Sequence, residues 1–490
     1  MKLNLRKHII VIVSLAAFSA AQAQNTFRSA YFIDGYNHRN NFNPAFAAER
    51  SYFSMPVIGD LRLNLLSNMG VSTFLFPAPD GLTTFMSPDV SADEFLGKLR
   101  NNNRINMDVN TSLLSFGARG KKGYFSFDLN VRATADINLP YALFDFMKNT
   151  GKSQYYDISG LAARADARVE LALGYSRRIA DIVNFGARIK ALVGVAGLDA
   201  RIDNMKVAMT GDQWSIHSSG TLKASCGLIE IPTKGESGSA ETPAENDLLD
   251  FSNIETVESF SADKLISGYG GAIDLGVEIQ LIPGLNLSAA ICDIGYMAWR
   301  NSTVAKTGDQ GWIFDGFNDI SFDEDSDNSI SEQFKALGDD LADMVDFRRA
   351  STNGKRGEFL ACTLNIGAEY VMPFYSGLSA GFLYSTTLDG PHTRHEGRLY
   401  ANLEPCSWFS FGVNGGATSY GATGGFILGL HTAGFNFFIG TDHIMTKFAP
   451  TGTEGLIYPY GKLHTQINFG IGFNVGARRS NGSPRPIINL

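Results

Sequence analysis

The sequence predicts an all-β fold: an antiparallel transmembrane β-barrel of about 14 strands (14–16), with an N-terminal luminal plug and long extracellular loops containing short helices. Three observations predict it. Segments of roughly ten residues alternate apolar with small or polar residues. The composition is rich in glycine and aromatics but contains no helical span. Connections alternate between short turns and long excursions.

The alternation is clearest in the last long strand, Leu463 to Ala477. One set is Leu463, Thr465, Ile467, Phe469, Ile471, Phe473 and Val475; the other is His464, Gln466, Asn468, Gly470, Gly472, Asn474 and Gly476. A two-residue period sends these sets to opposite faces. At about 3.3 Å per residue the apolar face is long enough to cross a hydrocarbon layer when tilted. The small, polar face suits a watery or plugged lumen.

Composition agrees. The 490 residues include 52 glycines and are 44% hydrophobic, and the glycine share exceeds the average of about 7%. Beyond the N-terminal leader, no run of roughly 18 apolar residues appears. The net charge of -8 argues against nucleic acid as a partner.

Residues 1–23 read as a signal peptide. Lys2, Arg6, Lys7 and His8 are basic, Ile9 to Ala17 apolar, and Ala21-Gln22-Ala23 places small residues at a cleavage site, so that export to the bacterial outer membrane is expected. Residues 24–57 form a plug or hatch segment, 58–478 the barrel, and 479–490 a C-terminal tail. The plug segment is aromatic and amide-rich without either period, and Arg39, Asn43, Pro44 and Phe46 are its key residues. Arg39 is expected to meet luminal carboxylates such as Glu278 or Glu369.

Asn43-Pro44-Ala45-Phe46, Met55-Pro56-Val57-Ile58-Gly59 and Asp293-Ile294-Gly295-Tyr296 with Trp299 together resemble an uncharacterised family of Bacteroidota outer-membrane barrels. The Asn-Pro-Ala segment is also distantly similar to the hatch of the long-chain fatty-acid outer-membrane channel family. That second resemblance implies a barrel of about fourteen strands plugged by its N-terminal segment. The first family brings no established activity.

Strands follow from the same alternation. They are expected at Asp60 to Leu66, Met107 to Ala118, Phe125 to Thr134, Arg168 to Ser176, Val183 to Val193, Ile273 to Leu281, Leu285 to Ile291 and Leu360 to Tyr370, then at five further segments before Leu463. Two less regular strands within Asn204 to Ser225 read as a hairpin projecting beyond the membrane. Short turns fall at Arg119-Gly120-Lys121, Ala180-Asp181, Pro283-Gly284, Pro373 to Ser376, Glu404-Pro405 and Thr432-Ala433. Long excursions are Asp136 to Arg164, Gly227 to Gly268, Thr307 to Gly357 and Thr446 to Gly461. A helix is expected at Tyr141 to Met147, and another from Ser329 to about Val345, capped by Ser329 and Glu332. A soluble β-sandwich is the competing fold, but it needs more regular turns.

No catalytic or cofactor motif occurs. Asp323, Asp325 and Asp327 match the first half of a calcium loop, but the bidentate twelfth ligand is missing, so the segment reads as a solvated acidic loop. Cys226, Cys292, Cys362 and Cys406 lack metal-like spacing and read as small buried residues. Charges on the polar faces form a candidate lumen network: Asp128, Arg132, Arg168, Glu170, Arg188, Lys190, Asp274, Glu278 and Glu369. Unpaired, they would be costly in a low-dielectric wall, so mutual pairing is expected.

The expected function is passive transport of small molecules, hydrophobic ones included, with lateral opening of the wall. Its partners would be outer-membrane lipid and an unknown small-molecule substrate. The alternative is a non-conducting accessory barrel that docks other outer-membrane proteins through the Thr307 to Gly357 loop.

Overall fold

The computed structural model describes residues 27–78, 81–149, 151–210, 213–233, 248–251, 255–256, 262–307, 312–314, 345, 347–444, 447–450, 457–460 and 462–476. They form a closed 14-strand antiparallel barrel. The strands are β1 (Ser51–Ser54 and Leu61–Gly70), β2 (Asn102–Arg119), β3 (Tyr124–Pro140), β4 (Leu161–Ala180) and β5 (Val183–Thr210). Next come β6 (Gln213–Cys226 and Gly268–Ile282), β7 (Leu285–Thr307), β8 (Phe347–Phe359 and Cys362–Val371), β9 (Leu378–Leu388) and β10 (Arg394–Cys406). The last are β11 (Phe409–Thr418), β12 (Gly421–His431), β13 (Asn436–Thr441) and β14 (Lys462–Val475).

Each strand pairs with its sequence neighbours. The ring closes where β14 meets β1, Ser51 lying opposite Val475 and Leu61 opposite Phe469. Closure leaves no open edge, so backbone N–H and C=O groups are satisfied inside the wall rather than by water.

The burial pattern is the one the alternation predicts. On β8, Thr363, Asn365, Gly367 and Glu369 are buried in the lumen, while Ile366 and Tyr370 face outward and are exposed. Exposed apolar residues such as Ile189, Leu399 and Ile467 form the outer belt. Near the short turns, Tyr370, Phe374, Trp408 and Phe435 supply aromatic residues at one rim, as at a membrane interface.

Several boundaries differ from expectation. The wall begins at Ser51, inside the expected plug segment, because Ser51 to Ser54 already pair with β14. The hairpin around residue 211 is not separate: β5 runs unbroken from Val183 to Thr210, and its outer half pairs with Gln213–Cys226. The excursion after Gly227 is therefore an insertion within one strand of the wall rather than a loop joining two. β6 stops at Cys226, opposite Ala196, and resumes at Gly268, opposite Gly194. A further long connection, residues 71–101 between β1 and β2, escaped the sequence reading because its apolar residues follow no long period.

Those outer segments have their own core. α1 (Ala92–Leu96) and α2 (Tyr141–Asn149) bring Phe95, Phe144 and Phe146 against Met205 and Val207 of β5. Ser91 caps α1 by accepting the Glu94 N–H at 3.2 Å. Each buried aromatic is favourable by about 1.5–3 kcal/mol, which holds the excursions as a cap over the long-loop end.

Cys292 is buried as expected, but Cys226, Cys362 and Cys406 are only partly so, because they sit near breaks or ends of strands; all four thiols are free. The candidate acidic loop (Asp323, Asp325, Asp327) and the helix expected from Ser329 lie outside the described residues, apart from Val345.

Ile366 lies midway along the outward face of the inner half of β8. Ile366→Arg is therefore expected to destabilise the barrel by about 2–4 kcal/mol, whereas Phe374→Arg in the adjoining turn should cost about 0–1 kcal/mol. Urea unfolding in lipid vesicles measures both, and equal costs would mean that the face is misassigned.

Candidate functional site

The N-terminal segment fills the lumen. Residues 27–46 include two short 3-10 turns, Arg28–Ala30 and Arg39–Asn41, and almost every side chain among them is buried. Phe27, Tyr31, Phe32, Ile33, Tyr36, Phe42 and Phe46 pack against Leu383, Tyr400, Ile427 and Phe438 of the wall. Tyr36 and Phe42 stack with centroids 5.8 Å apart, and Phe32 meets Tyr400 edge-on at 5.1 Å. Such pairs add about 0.5–1.5 kcal/mol each beyond area burial.

Small lumen-facing residues make room for this segment. A Cβ on Gly186 would lie 2.0 Å from the Pro44 carbonyl oxygen, and one on Gly276 would lie 1.9 Å from Asn43 Oδ1. The glycine-rich faces are thus recesses moulded to the plug.

Polar tethers fix it. Asp442 accepts the backbone N–H groups of Arg28 and Ser29, both at 2.6 Å, and the Ser29 hydroxyl at 2.5 Å. A carboxylate thus satisfies amides at the start of the first turn, where no backbone partner exists. Asn43 donates to the carbonyls of Val277 (3.0 Å) and Ala289 (3.3 Å). Asn365 donates to the Phe42 carbonyl at 2.9 Å and accepts from Arg28 Nη1 at 2.8 Å. Asp60, held by Arg62 Nε at 2.9 Å, accepts the Tyr36 hydroxyl at 3.2 Å.

Arg39 pairs with Asp34 inside the segment and lies 4.5 Å over the Phe46 ring. Glu278, one of its expected partners, accepts from Asn184 Nδ2 at 2.9 Å. Glu369 is buried on the lumen face of β8.

Most of the remaining predicted charges meet in one network on β3 to β7. Arg132 contacts Glu170 at 2.9 Å and Asp293 at 3.4 Å. Lys190 contacts Asp274 at 2.8 Å, Glu170 at 3.5 Å and Asp293. Arg188 joins Asp128 at 2.7 Å and Asp274 at 3.6 Å, and also donates to Asn41 of the plug at 2.8 Å. Arg168 pairs with Asp166 at 2.5 Å.

Sequence reasoning missed Asp293, the hub of this network. A β-bulge sets Cys292 and Asp293 against Asp274, and Asp293 takes a φ of 61°. The bulge shifts the period by one residue and turns Asp293 inward. The signal in the sequence was the loss of strict alternation after Ile291. Asp442 was also missed, although Asn436, Phe438, Gly440 and Asp442 share one alternate face.

Two cavities lie on either side of the plug. The outer one, about 70 Å³, is lined by Arg28 of the plug and by Asn64, Asn106, Asp108, Arg394 and Glu396. The inner one, about 270 Å³, lies between plug residues Ala45 and Ala47 and the cations Arg119, Lys121, Lys122, Arg177 and Arg178 at the short turns.

Above the outer cavity, the Asp389–Thr393 turn reaches across the mouth. Asp389 pairs with Arg164, and Arg104 donates to the carbonyls of Thr393 (2.9 Å) and Pro391 (3.2 Å). Burial and the neighbouring Arg164 and Arg394 hold the His392 imidazole down at about 4, so the ring is neutral at physiological pH.

The seam in β6 is filled rather than open. The Trp299 ring lies against Gly194, Gly197 and Gly268, and its Nε1 donates to Glu358 at 2.7 Å. Arg356 bridges the same place, contacting Glu358 and the Ser225 hydroxyl, both at 2.7 Å.

Two substitutions test this arrangement. Removing one partner of a buried ion pair leaves a charge uncompensated, so Lys190→Ala should cost about 3–5 kcal/mol in urea unfolding. Gly276→Leu should instead displace Asn43 while the barrel still forms, exposing the N-terminal segment to limited proteolysis. A protected segment in folded Gly276→Leu protein would refute the close fit. Asn365 and Asn468, on the lumen faces of β8 and β14, are fully buried and bonded, so charge there is expected to unseat neighbours.

The solved barrels that the chain is similar to include the following three. The Pseudomonas putida toluene transporter TodX is 8% identical with a TM-score of 0.37, covering 89% of this chain and 93% of its own. The Ralstonia pickettii toluene transporter TbuX is 9% identical with a TM-score of 0.36, covering 88% and 91%. A Pseudomonas aeruginosa FadL homologue is 9% identical with a TM-score of 0.36, covering 93% and 98%. TM-scores this low say nothing of what the present barrel carries. No curated protein matches the sequence. The model of a family of unknown function, DUF5723, matches residues 44–442, most of the chain, and the chain belongs to that family.

Proposed function

We propose that this protein is an outer-membrane channel for passive passage of small molecules, closed at rest by its N-terminal segment. The observation that carries the reading is the pair of cavities separated by the plug, one towards the long loops and one among the short turns. Short turns face the periplasm in such barrels and long loops face outward, so the path would run from Arg28 past the plug to Ala47. Membrane residence is supported by the outward apolar belt and by the leader-like first 23 residues.

The plug suits a gate. Its contacts include aromatic packing and separate hydrogen bonds to β5, β6, β7, β8 and the residue after β13, and no cysteine of the chain is in a disulfide. Loss of a few tethers, each worth about 0.5–1.5 kcal/mol or about 1.5–3 when charged, would free one part of the segment before the rest. Passage through the lumen fits this geometry better than lateral exit through the β6 seam, which Trp299 and Arg356 occupy. The Thr307 to Gly357 excursion, the basis for a docking role, lies largely outside the described residues.

Single-channel recording in planar bilayers tests the proposal. Deleting Thr26 to Ala47 should raise conductance severalfold over the full chain, and Asp442→Ala should produce intermittent openings. Unchanged conductance from a folded deletion variant would overturn it.

A further inference from the structure

The lining of the outer cavity points to the class of solute, and this inference rests on the channel reading. Leu66 is the sole aliphatic residue among those that line it. The rest are amides, hydroxyls, carboxylates, guanidinium groups, imidazoles and the ring of Tyr420. A hydrocarbon placed there would strip water from these groups and return no hydrogen bonds, at a cost of about 1–3 kcal/mol for each group left unmet. Charge disfavours an anion as well. Asp108, Glu396 and Asp442 outnumber Arg28 and Arg394, and both arginines already face carboxylates: Arg28 faces Glu396 at 3.6 Å and Arg394 faces Asp136 at 3.3 Å.

The unmet groups are acceptors. Asp108 is 2% exposed, and its Oδ1 has no hydrogen-bond partner among the described residues; Oδ2 accepts from Asn64 Nδ2 at 2.9 Å. The Oδ1 of Asn64 is likewise unpartnered. Both side chains belong to the cavity wall, on adjacent strands β1 and β2. A ligand completing this site brings neutral donors and also accepts from guanidinium and amide groups. Hydroxyl groups do both.

We infer that the outer cavity is a binding site for a neutral polyhydroxylated solute, a sugar or polyol that seats its hydroxyls on this wall. Asp108 and Asn64 accept from its hydroxyls, Arg394 donates to them, and the Tyr420 ring meets its C–H face. Arg28 forms the floor, and the same side chain ties the plug to Asn365 and Glu396. Solute hydroxyls that engage Arg28 therefore compete with the tethers that keep the plug closed.

Isothermal titration calorimetry on the full mature chain in detergent micelles, with maltose as the probe, tests this. Saturable maltose heat is expected, weakened at least tenfold by Asp108→Asn and by Asn64→Ala, with folding of each variant checked by its heat-dependent gel shift. Decanoate and choline serve as apolar-anion and cation probes. Absence of maltose heat from folded protein overturns the inference, as does maltose binding unchanged in both variants. Saturable binding of decanoate or choline that Asp108→Asn abolishes also overturns it. A plug-deleted barrel that conducts while the full chain ignores maltose sinks the ligand class and leaves the channel reading standing.

Discussion

The structure depends on one constraint: inside a hydrocarbon layer every backbone N–H and C=O must find a partner in the protein. A closed ring meets it, because the last strand, Lys462–Val475, pairs with the first and no edge remains. Closure has a consequence for the interior. About eight strands give a lumen that side chains can fill, and more leave a space. With fourteen strands, something else has to occupy the middle. Here the occupant is the start of the same chain, whose aromatic residues gain by leaving water.

Filling the lumen then dictates what its wall is made of. On the side of β9, β10, β12 and β13 the plug meets Leu383, Tyr400, Ile427 and Phe438, so contact there is apolar. On the opposite side, β3 to β7 carry charges that are expensive to bury singly. They are shared in a network in which Lys190 touches three carboxylates, one of them turned inward by a bulge. Arg188 joins the two halves, since it holds Asp128 of the wall and Asn41 of the plug. Wall stability and plug position are therefore coupled through one guanidinium group.

The same logic separates the cavities from the rest of the lumen. Apolar packing is complete around Tyr36 and Phe42, where water is excluded, and stops at Arg28 on one side and Ala47 on the other. Beyond those points polar and charged side chains line the two cavities. A polar outer chamber, a tethered plug and a basic inner chamber thus follow one another along the lumen.

The sequence by itself determined the fold class and the faces of most strands, because a two-residue period is a local property of the chain. The alternation around Ile366 and Ile467 states which side meets lipid without knowledge of any neighbour. It also marked the plug, since Tyr31, Tyr36 and Phe42 are too apolar for water and follow no period. Among the charges on the polar faces, Asp128, Arg132, Glu170, Arg188, Lys190 and Asp274 lie in one chain of ion pairs. Only the tertiary structure decided the partners. Arg39 reaches Asp34, Asp293 enters the network through a bulge, and Asp442 finds the amides of Arg28 and Ser29 across more than four hundred residues. Tertiary structure also decided that the insertion after Gly227 interrupts a strand, because a break in a strand and a loop between strands look alike until the neighbouring register is known. Periodicity fixes the direction of a side chain, while its partner depends on curvature, shear and the path of a segment that has no period.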